Sequence, residues 1–304
     1  MQKFPSPSTN QVILEMLQNP ILVRILLRAA AVGAAVSLSA SVLGVTMVLR
    51  RMSMIGDGLA HAGFGALAMA TLLGAGDFET EVSIPIVMAT AMFLLFISER
   101  GIMGGDAAVA VVSTGMMTAG VLIFSFTTGY TADMCSSLFG SASILTITDS
   151  DLWLSLALAA AVIIIFVFFY TRIFAVTFDE KFCAAAGVHV WIYKLITAAL
   201  ISVTVVVGME MIGSLMISAL VVFPALTAMR VCKSFASVVV TAGIFSVCGF
   251  AAGFIISCEF SLPAGASVVA VDLLLYVATA AITSVIYNCR KRRNADIRLH
   301  IASQ

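Results

Sequence analysis

The chain has 304 residues, of which 61% are hydrophobic and only 11% are charged, and its formal net charge is zero. Its apolar stretches are repeatedly long enough to cross a bilayer core of about 30 Å, which excludes an ordinary soluble protein. The longest weakly hydrophobic stretch, residues 127–151, is too short for a soluble domain, so any catalytic domain must come from a partner.

The apolar runs predict an all-α fold, a polytopic transmembrane helical bundle of eight or nine spans. The runs are continuous and rich in Ala, Gly, Leu and Val, whereas a membrane barrel needs short alternating strands. The nine candidate spans are residues 29–49, 55–73, 82–97, 107–126, 152–170, 191–207, 211–229, 236–256 and 267–287. We expect a polar or interfacial segment over 1–28, a transmembrane domain over 29–287 and a basic tail over 288–304.

The charges between the spans separate by sign. One set of connections carries Arg50, Arg51, Arg100, Arg172, Lys181, Arg230, Lys233 and the tail residues Arg290, Lys291, Arg292, Arg293 and Arg298. The alternate set carries Asp77, Glu79, Glu81, Asp133, Asp149, Asp151, Glu210 and Glu259. Because basic residues resist translocation, the first set and the C-terminus are expected in the cytoplasm.

Nine spans conflict with this rule at the N-terminus, where they place Lys3, Arg24 and Arg28 outside. Two explanations stay open: residues 12–27 form an interfacial helix, or the span count is wrong by one.

The second predicted span contains two ionisable residues, in the stretch "IGDGLAHAGFG". Asp57 and His61 are four residues apart and therefore lie on one face of a helix. A carboxylate oxygen with an imidazole nitrogen suits a divalent ion such as Zn²⁺ or Mn²⁺, and the same pair from a second copy would complete four ligands. The alternative is structural: Asp57 caps the helix and His61 bonds a neighbouring backbone group.

A short cytoplasmic helix is predicted in "FDEKFCAAAGVHVWIYKL". Asp179 suits the cap, Glu180 the first turn and Gly187 the stop. Such a helix at the membrane surface can dock into a groove on a soluble protein, although composition alone favours an ordinary solvated helix.

Two further carboxylates are candidates for a cation pathway. Glu210 lies at an outer end, and Asp272 lies about two turns into the last span, after the turn at Pro263 and Gly265. Rim placement or an interhelical hydrogen bond is the commoner role for each. Pro224 predicts a kink or a break within its span.

Other features exclude several classes of site. The six cysteines form no C-x-x-C pair, so neither a zinc knot nor a disulfide framework is indicated. No G-x-x-x-x-G-K-[ST] loop is present, so the chain is not expected to hydrolyse ATP itself. An intramembrane metalloprotease also needs His and Asp in the membrane, but no H-E-x-x-H occurs. The 16 methionines are better explained by packing than by a copper pathway.

Taken together, five segments resemble the integral-membrane permease of bacterial zinc, manganese and related iron ABC importers. They are "VLRRMSMIGDGLAHAGFG", "LFGSASILTITDSDLW", "TFDEKFCAAAGV", "MIGSLMISALVVFPALTAMR" and "LPAGASVVAVD". The combination of G-D-x-x-x-H-A with F-D-x-x-F-x-x-A-x-G carries the resemblance.

The resemblance implies an ATP-driven importer in the bacterial cell membrane. Asp57 and His61 correspond to the family's metal pair, and the coupling residues correspond to Phe178, Asp179, Phe182, Ala185 and Gly187. The implied partners are cytosolic ATP-binding subunits, an extracytoplasmic metal-binding protein, membrane lipid and a second permease copy or a paralogue. No permanently bound cofactor and no nucleic acid are expected; Zn²⁺ or Mn²⁺ is the cargo, and ATP binds the partner. A passive metal channel or a membrane receptor stays open as an alternative.

Overall fold

A computed structural model describes residues 20–50, 52, 54–75, 78–100, 105–127, 148–260 and 262–302 of the chain. The described residues form helices throughout, as the composition predicts. The helices are α1 (Pro20–Leu49), α2 (Ile55–Leu72), α3 (Glu79–Arg100), α4 (Gly105–Thr127), α5 (Asp149–Phe168), α6 (Tyr170–Phe178), α7 (Glu180–Ala185), α8 (Val190–Ile212), α9 (Ser214–Val231), α10 (Phe235–Phe260) and α11 (Ala264–Ala302).

The bundle is arranged around α1, α8 and α9. In α1, 78% of the spanning segment is buried by other helices, whereas in α11 only 11% is buried. α1 packs against α5, α8, α9 and α10, and α2 packs against α3, α4, α8 and α9. Outer helices therefore keep apolar faces that water would not tolerate and that a lipid bilayer accepts.

Small residues set the separation between neighbouring helices. A Cβ atom added to Gly44 of α1 would lie 1.9 Å from the carbonyl oxygen of Val221 in α9. One added to Gly253 of α10 would lie 2.4 Å from Cα of Val268 in α11. The helix backbones therefore make close van der Waals contact. Such contact stabilises helix association in a membrane, where the hydrophobic effect does not drive helices together.

Among the described residues, eight helices are long and apolar enough to cross a membrane, and they coincide with eight of the nine predicted spans. The remaining prediction, 55–73, is the helix α2 of 18 residues, which lies outside this set because Asp57, His61 and several glycines lower its hydropathy. Neighbouring helices bury 12 residues of α2, including four of its glycines, whereas Asp57 and His61 stay partly exposed.

The first described helix, α1, extends from Pro20 rather than from 29, so residues 20–27 continue the helix that is predicted to span the membrane. Residues 12–19 lie outside the described part of the chain, so an interfacial helix over 12–27 stays a prediction. Arg28, whose predicted outer position broke the charge rule, has its Nη2 atom 2.5 Å from Oδ1 of Asp149 on α5. Pairing with a carboxylate on the neighbouring helix accounts for a basic residue at the acidic end of the bundle.

Two helix boundaries differ from prediction around α8 and α9. The break predicted between 207 and 211 lies instead at Gly213, whose φ of 93° only glycine adopts without strain. Glu210 consequently belongs to the last turn of α8. α9 is continuous through Pro224, so of the predicted kink or break the break is absent from this helix.

Candidate functional site

Asp57 and His61 lie next to each other on α2. Nε2 of His61 is 3.6 Å from Oδ2 of Asp57, and the two side chains are 28% and 51% exposed, respectively. The rest of the helix is largely covered by its four neighbours. The predicted one-face placement is confirmed, and the pair occupies the side of α2 that the other helices leave open.

The bonds of the structural alternative for this pair are absent from the described residues. The residue that precedes the first turn of α2 is Met54, and no side-chain hydrogen bond caps this helix start. Nδ1 of His61 is buried without a hydrogen-bond partner among the described residues, so it makes no bond to the backbone there. Capping and backbone bonding therefore explain neither side chain.

Close packing holds this part of α2 in place. A Cβ on Gly58 would lie 2.5 Å from Cγ1 of Val109, and one on Gly65 would lie 2.5 Å from the carbonyl oxygen of Met116, both on α4. These two close approaches set the separation between α2 and α4, so the backbone that carries Asp57 and His61 has a defined position against α4.

A single chain supplies two candidate ligands at this position. No group of three or more His, Cys, Asp or Glu side chains that could hold a metal occurs in the part of the chain that the structure describes. Zn²⁺ in proteins is usually held by four ligands. The pair by itself is therefore an incomplete site.

The predicted coupling segment is the short helix α7. The Asp179 carboxylate accepts a hydrogen bond of 2.9 Å from the backbone N–H of Phe182, which confirms the predicted cap. At the other end Gly187 has a φ of 80°, and the N–H groups of Gly187 and Val188 donate to the carbonyls of Ala184 and Cys183. This pair of bonds is the glycine-dependent helix stop that the sequence predicts.

The coupling segment presents apolar side chains at its surface. Phe178 and Phe182 are 61% and 68% exposed, and Ala185 is exposed beside them. Cys183 instead turns inward and packs with Val176 and Val190. Exposed phenylalanines at the end of α6 and on α7, next to each other along the chain, are typical of a docking surface for another protein.

Glu210 and Asp272 lie in different surroundings. Glu210 is exposed on α8 and accepts a hydrogen bond of 2.5 Å from the hydroxyl of Thr80 on α3, which is the interhelical bond considered as an alternative. Asp272 is only 3% exposed and lies against Gly249 of α10. No described contact joins the two carboxylates.

Lys194 is a buried ionisable residue that the sequence analysis did not single out. It lies within the first turns of α8, is 3% exposed and donates to the carboxylate of Glu180 on α7. Its position inside the predicted span 191–207 could have identified it, because charged residues within membrane spans are rarely without a role.

Comparison with known proteins decides the family. Residues 23–283 match the ABC 3 transport family. The chain belongs to this family. The manganese import system permease protein ScaB of Streptococcus gordonii is 24% identical over 240 residues, which cover 79% of this chain and 84% of that protein. The high-affinity zinc uptake system membrane protein ZnuB of Haemophilus influenzae is 26% identical over 253 residues, which cover 83% and 95%.

A solved structure of the same fold is PsaBC from Streptococcus pneumoniae in complex with Fab. One of its chains superposes with a TM-score of 0.76 at 23% identity, covering 89% of this chain and 94% of that chain. The ABC 3 family and its helical, multi-pass membrane fold therefore agree with the resemblance seen in the sequence motifs.

Proposed function

We propose that this chain is the membrane permease subunit of an ATP-driven importer that carries a divalent transition metal ion into the cytoplasm. Zinc and manganese are the candidate cargoes, with iron as the third. The observation that carries the proposal is the Asp57–His61 pair, placed on the open side of an otherwise buried helix. The permease names of the ABC 3 relatives support the same function.

The distance within the pair suits one shared ion. Two ligand atoms that each lie about 2.1 Å from a tetrahedral metal are about 3.4 Å apart. The observed separation between Nε2 of His61 and Oδ2 of Asp57 is 3.6 Å, so an ion can bind both with little movement. Aligned imidazole and carboxylate ligands serve Zn²⁺ and Mn²⁺ alike, which leaves either as the cargo.

An incomplete site suits transport. The two ligands of one chain hold a divalent ion loosely enough for it to leave. Two permease chains related by a two-fold axis would supply four ligands when their Asp57–His61 pairs face each other. A homodimer and a pairing with a paralogue both satisfy this requirement. Alternating access then corresponds to opening the space between the pairs first to the outside and then to the cytoplasm.

ATP hydrolysis belongs to a separate cytosolic subunit in this proposal. Phe178 and Phe182 are the apolar anchors that would enter a groove on it, while Asp179 and Gly187 define the ends of the docking helix and Ala185 leaves room for close approach. An extracytoplasmic metal-binding protein would deliver the ion to the acidic end of the bundle. This orientation places the basic C-terminal tail, residues 288–304, in the cytoplasm of a bacterial cell.

The test is metal uptake by proteoliposomes that contain the permease with its ATP-binding subunit. Asp57→Asn and His61→Ala are expected to lower ATP-dependent uptake of both Zn²⁺ and Mn²⁺ at least tenfold, because each removes one ligand atom. Lys233→Gln, which removes an exposed charge on the connection between α9 and α10, is the control. Wild-type uptake in both site variants would refute the metal role of the pair, and uptake without ATP would indicate a passive channel.

A further inference from the structure

A polar cavity of about 470 Å³ connects the coupling segment with the entry to α2. Its lining includes Arg50 and Met52 before α2, Asp106 at the start of α4, Phe178 of α6, Glu180 of α7 and Lys194 of α8. Four of these six residues are ionisable, although the cavity lies between helices that are otherwise apolar. The cavity is thus the place where the coupling segment meets the helices of the metal pathway.

Within this cavity, the ion pair between Glu180 and Lys194 joins α7 to α8. The Lys194 side chain is 4% exposed, whereas that of Glu180 is 48% exposed. A buried ammonium group is costly unless a carboxylate stays close to it. Glu180 therefore cannot move away from α8 freely, and a displacement of α7 has to displace Lys194 as well.

The apolar contacts of α7 are small by comparison. Its one buried residue, Cys183, packs in a minor cluster with Val176 and Val190 that is separate from the main core of the bundle. The other apolar side chain described above, Phe182, points outward. Attachment of α7 to the long helix α8 consequently depends to an unusual degree on a charged contact.

α8 continues from this contact to the helix that carries the candidate ligands. It packs against α2. The contact includes Gly63, two residues after His61: a Cβ atom added to Gly63 would lie 3.1 Å from the methyl carbon of Met209 on α8. The cavity provides a second route, because Met52 lines it and its carbonyl accepts a hydrogen bond of 3.0 Å from Ile55, the first residue of α2. A shift at Glu180 can therefore reach α2 through α8 and through the α1–α2 connection.

We propose that Glu180 and Lys194 are positioning residues that couple movement of the docking helix to movement of α2. This inference rests on the proposed function, since it assigns the pair a role only where an ATP-binding subunit moves α7. Neither residue touches the ion. The pair holds α7 and α8 together during the ATP cycle, and the cavity beside it gives the polar side chains room to rearrange.

The test compares ATP hydrolysis and metal uptake in the same proteoliposomes. Glu180→Gln keeps the exposed phenylalanines of the docking surface but removes the negative charge that pairs with Lys194. The expected result is a ratio of metal imported to ATP hydrolysed at least tenfold below wild type, with hydrolysis itself retained. Lys194→Met tests the same contact without leaving a buried charge and is expected to lower the ratio similarly. Lys233→Gln is again the control and should leave the ratio unchanged.

Charge reversal separates coupling from a merely structural role. The single changes Glu180→Lys and Lys194→Glu are expected to uncouple transport, whereas the double variant restores a pair of opposite charges and should recover a substantial part of the ratio. An unchanged ratio in Glu180→Gln and Lys194→Met, or a double variant no better than the single ones, would overturn the proposal. Wild-type complex that imports no metal would instead refute the proposed function.

Discussion

The close contact between α2 and α4 makes Gly65 a sensitive position. A Cβ at this residue would lie 2.5 Å from the carbonyl oxygen of Met116, whereas ordinary contact begins near 3.4 Å, so the helices would have to separate by about 0.9 Å (3.4 minus 2.5). The obstacle is backbone, which cannot rotate aside as a side chain can. Overpacking of this kind costs about 1–3 kcal/mol, and we expect Gly65→Ala to lose that amount of unfolding free energy relative to a glycine-to-alanine change at an uncrowded helix position.

Gly115 provides the matched control because it lies on α4, one of the two helices in contact, and a Cβ there would meet nothing within 4 Å. Alanine is the better helix former, so Gly115→Ala should leave the free energy of unfolding unchanged or raise it by up to about 1 kcal/mol. Unfolding by sodium dodecyl sulfate, followed by far-ultraviolet circular dichroism, measures both variants. Equal stability of the two variants would refute the close contact, and with it the fixed position of α2.

The coupling segment carries two further predictions. Phe182→Ala removes a side chain that is 68% exposed, so the stability of the isolated permease should change by less than about 0.5 kcal/mol, while the affinity for the ATP-binding subunit should fall about 30-fold, equivalent to about 2 kcal/mol. A binding titration with unaltered affinity would contradict the docking role. Gly187→Ala forces an L-residue to a φ of 80°, which costs about 1–2 kcal/mol with no steric clash added, and faster hydrogen exchange of the α7 amides should reveal the fraying.

Local features were predictable from the sequence because each depends on a few neighbouring residues. The cap at Asp179 and the stop at Gly187 follow from side-chain and backbone preferences within one short helix, and both are confirmed. The spacing of Asp57 and His61 sets their shared face in the same way. The motifs that place the chain in the ABC 3 family are also local.

Several boundaries were not predictable to the residue. The run of apolar residues hides the turn at Gly213, because a single glycine within such a run is also compatible with a continuing helix. The start of α1 was predicted too late because Arg24 and Arg28 argued against a spanning helix. Arg28 is tolerated because Asp149, distant in sequence, lies beside it.

Composition and charge order alone determined that this is a helical membrane protein with alternating basic and acidic ends, since solvation by lipid constrains every span separately. Only the tertiary structure decided that Asp57 and His61 lie on the open side of α2, that Thr80 bonds Glu210, and that Glu180 meets Lys194. These outcomes depend on which helices become neighbours. That choice arises from close packing at glycines such as Gly65, and the hydropathy of an individual span carries no information about it.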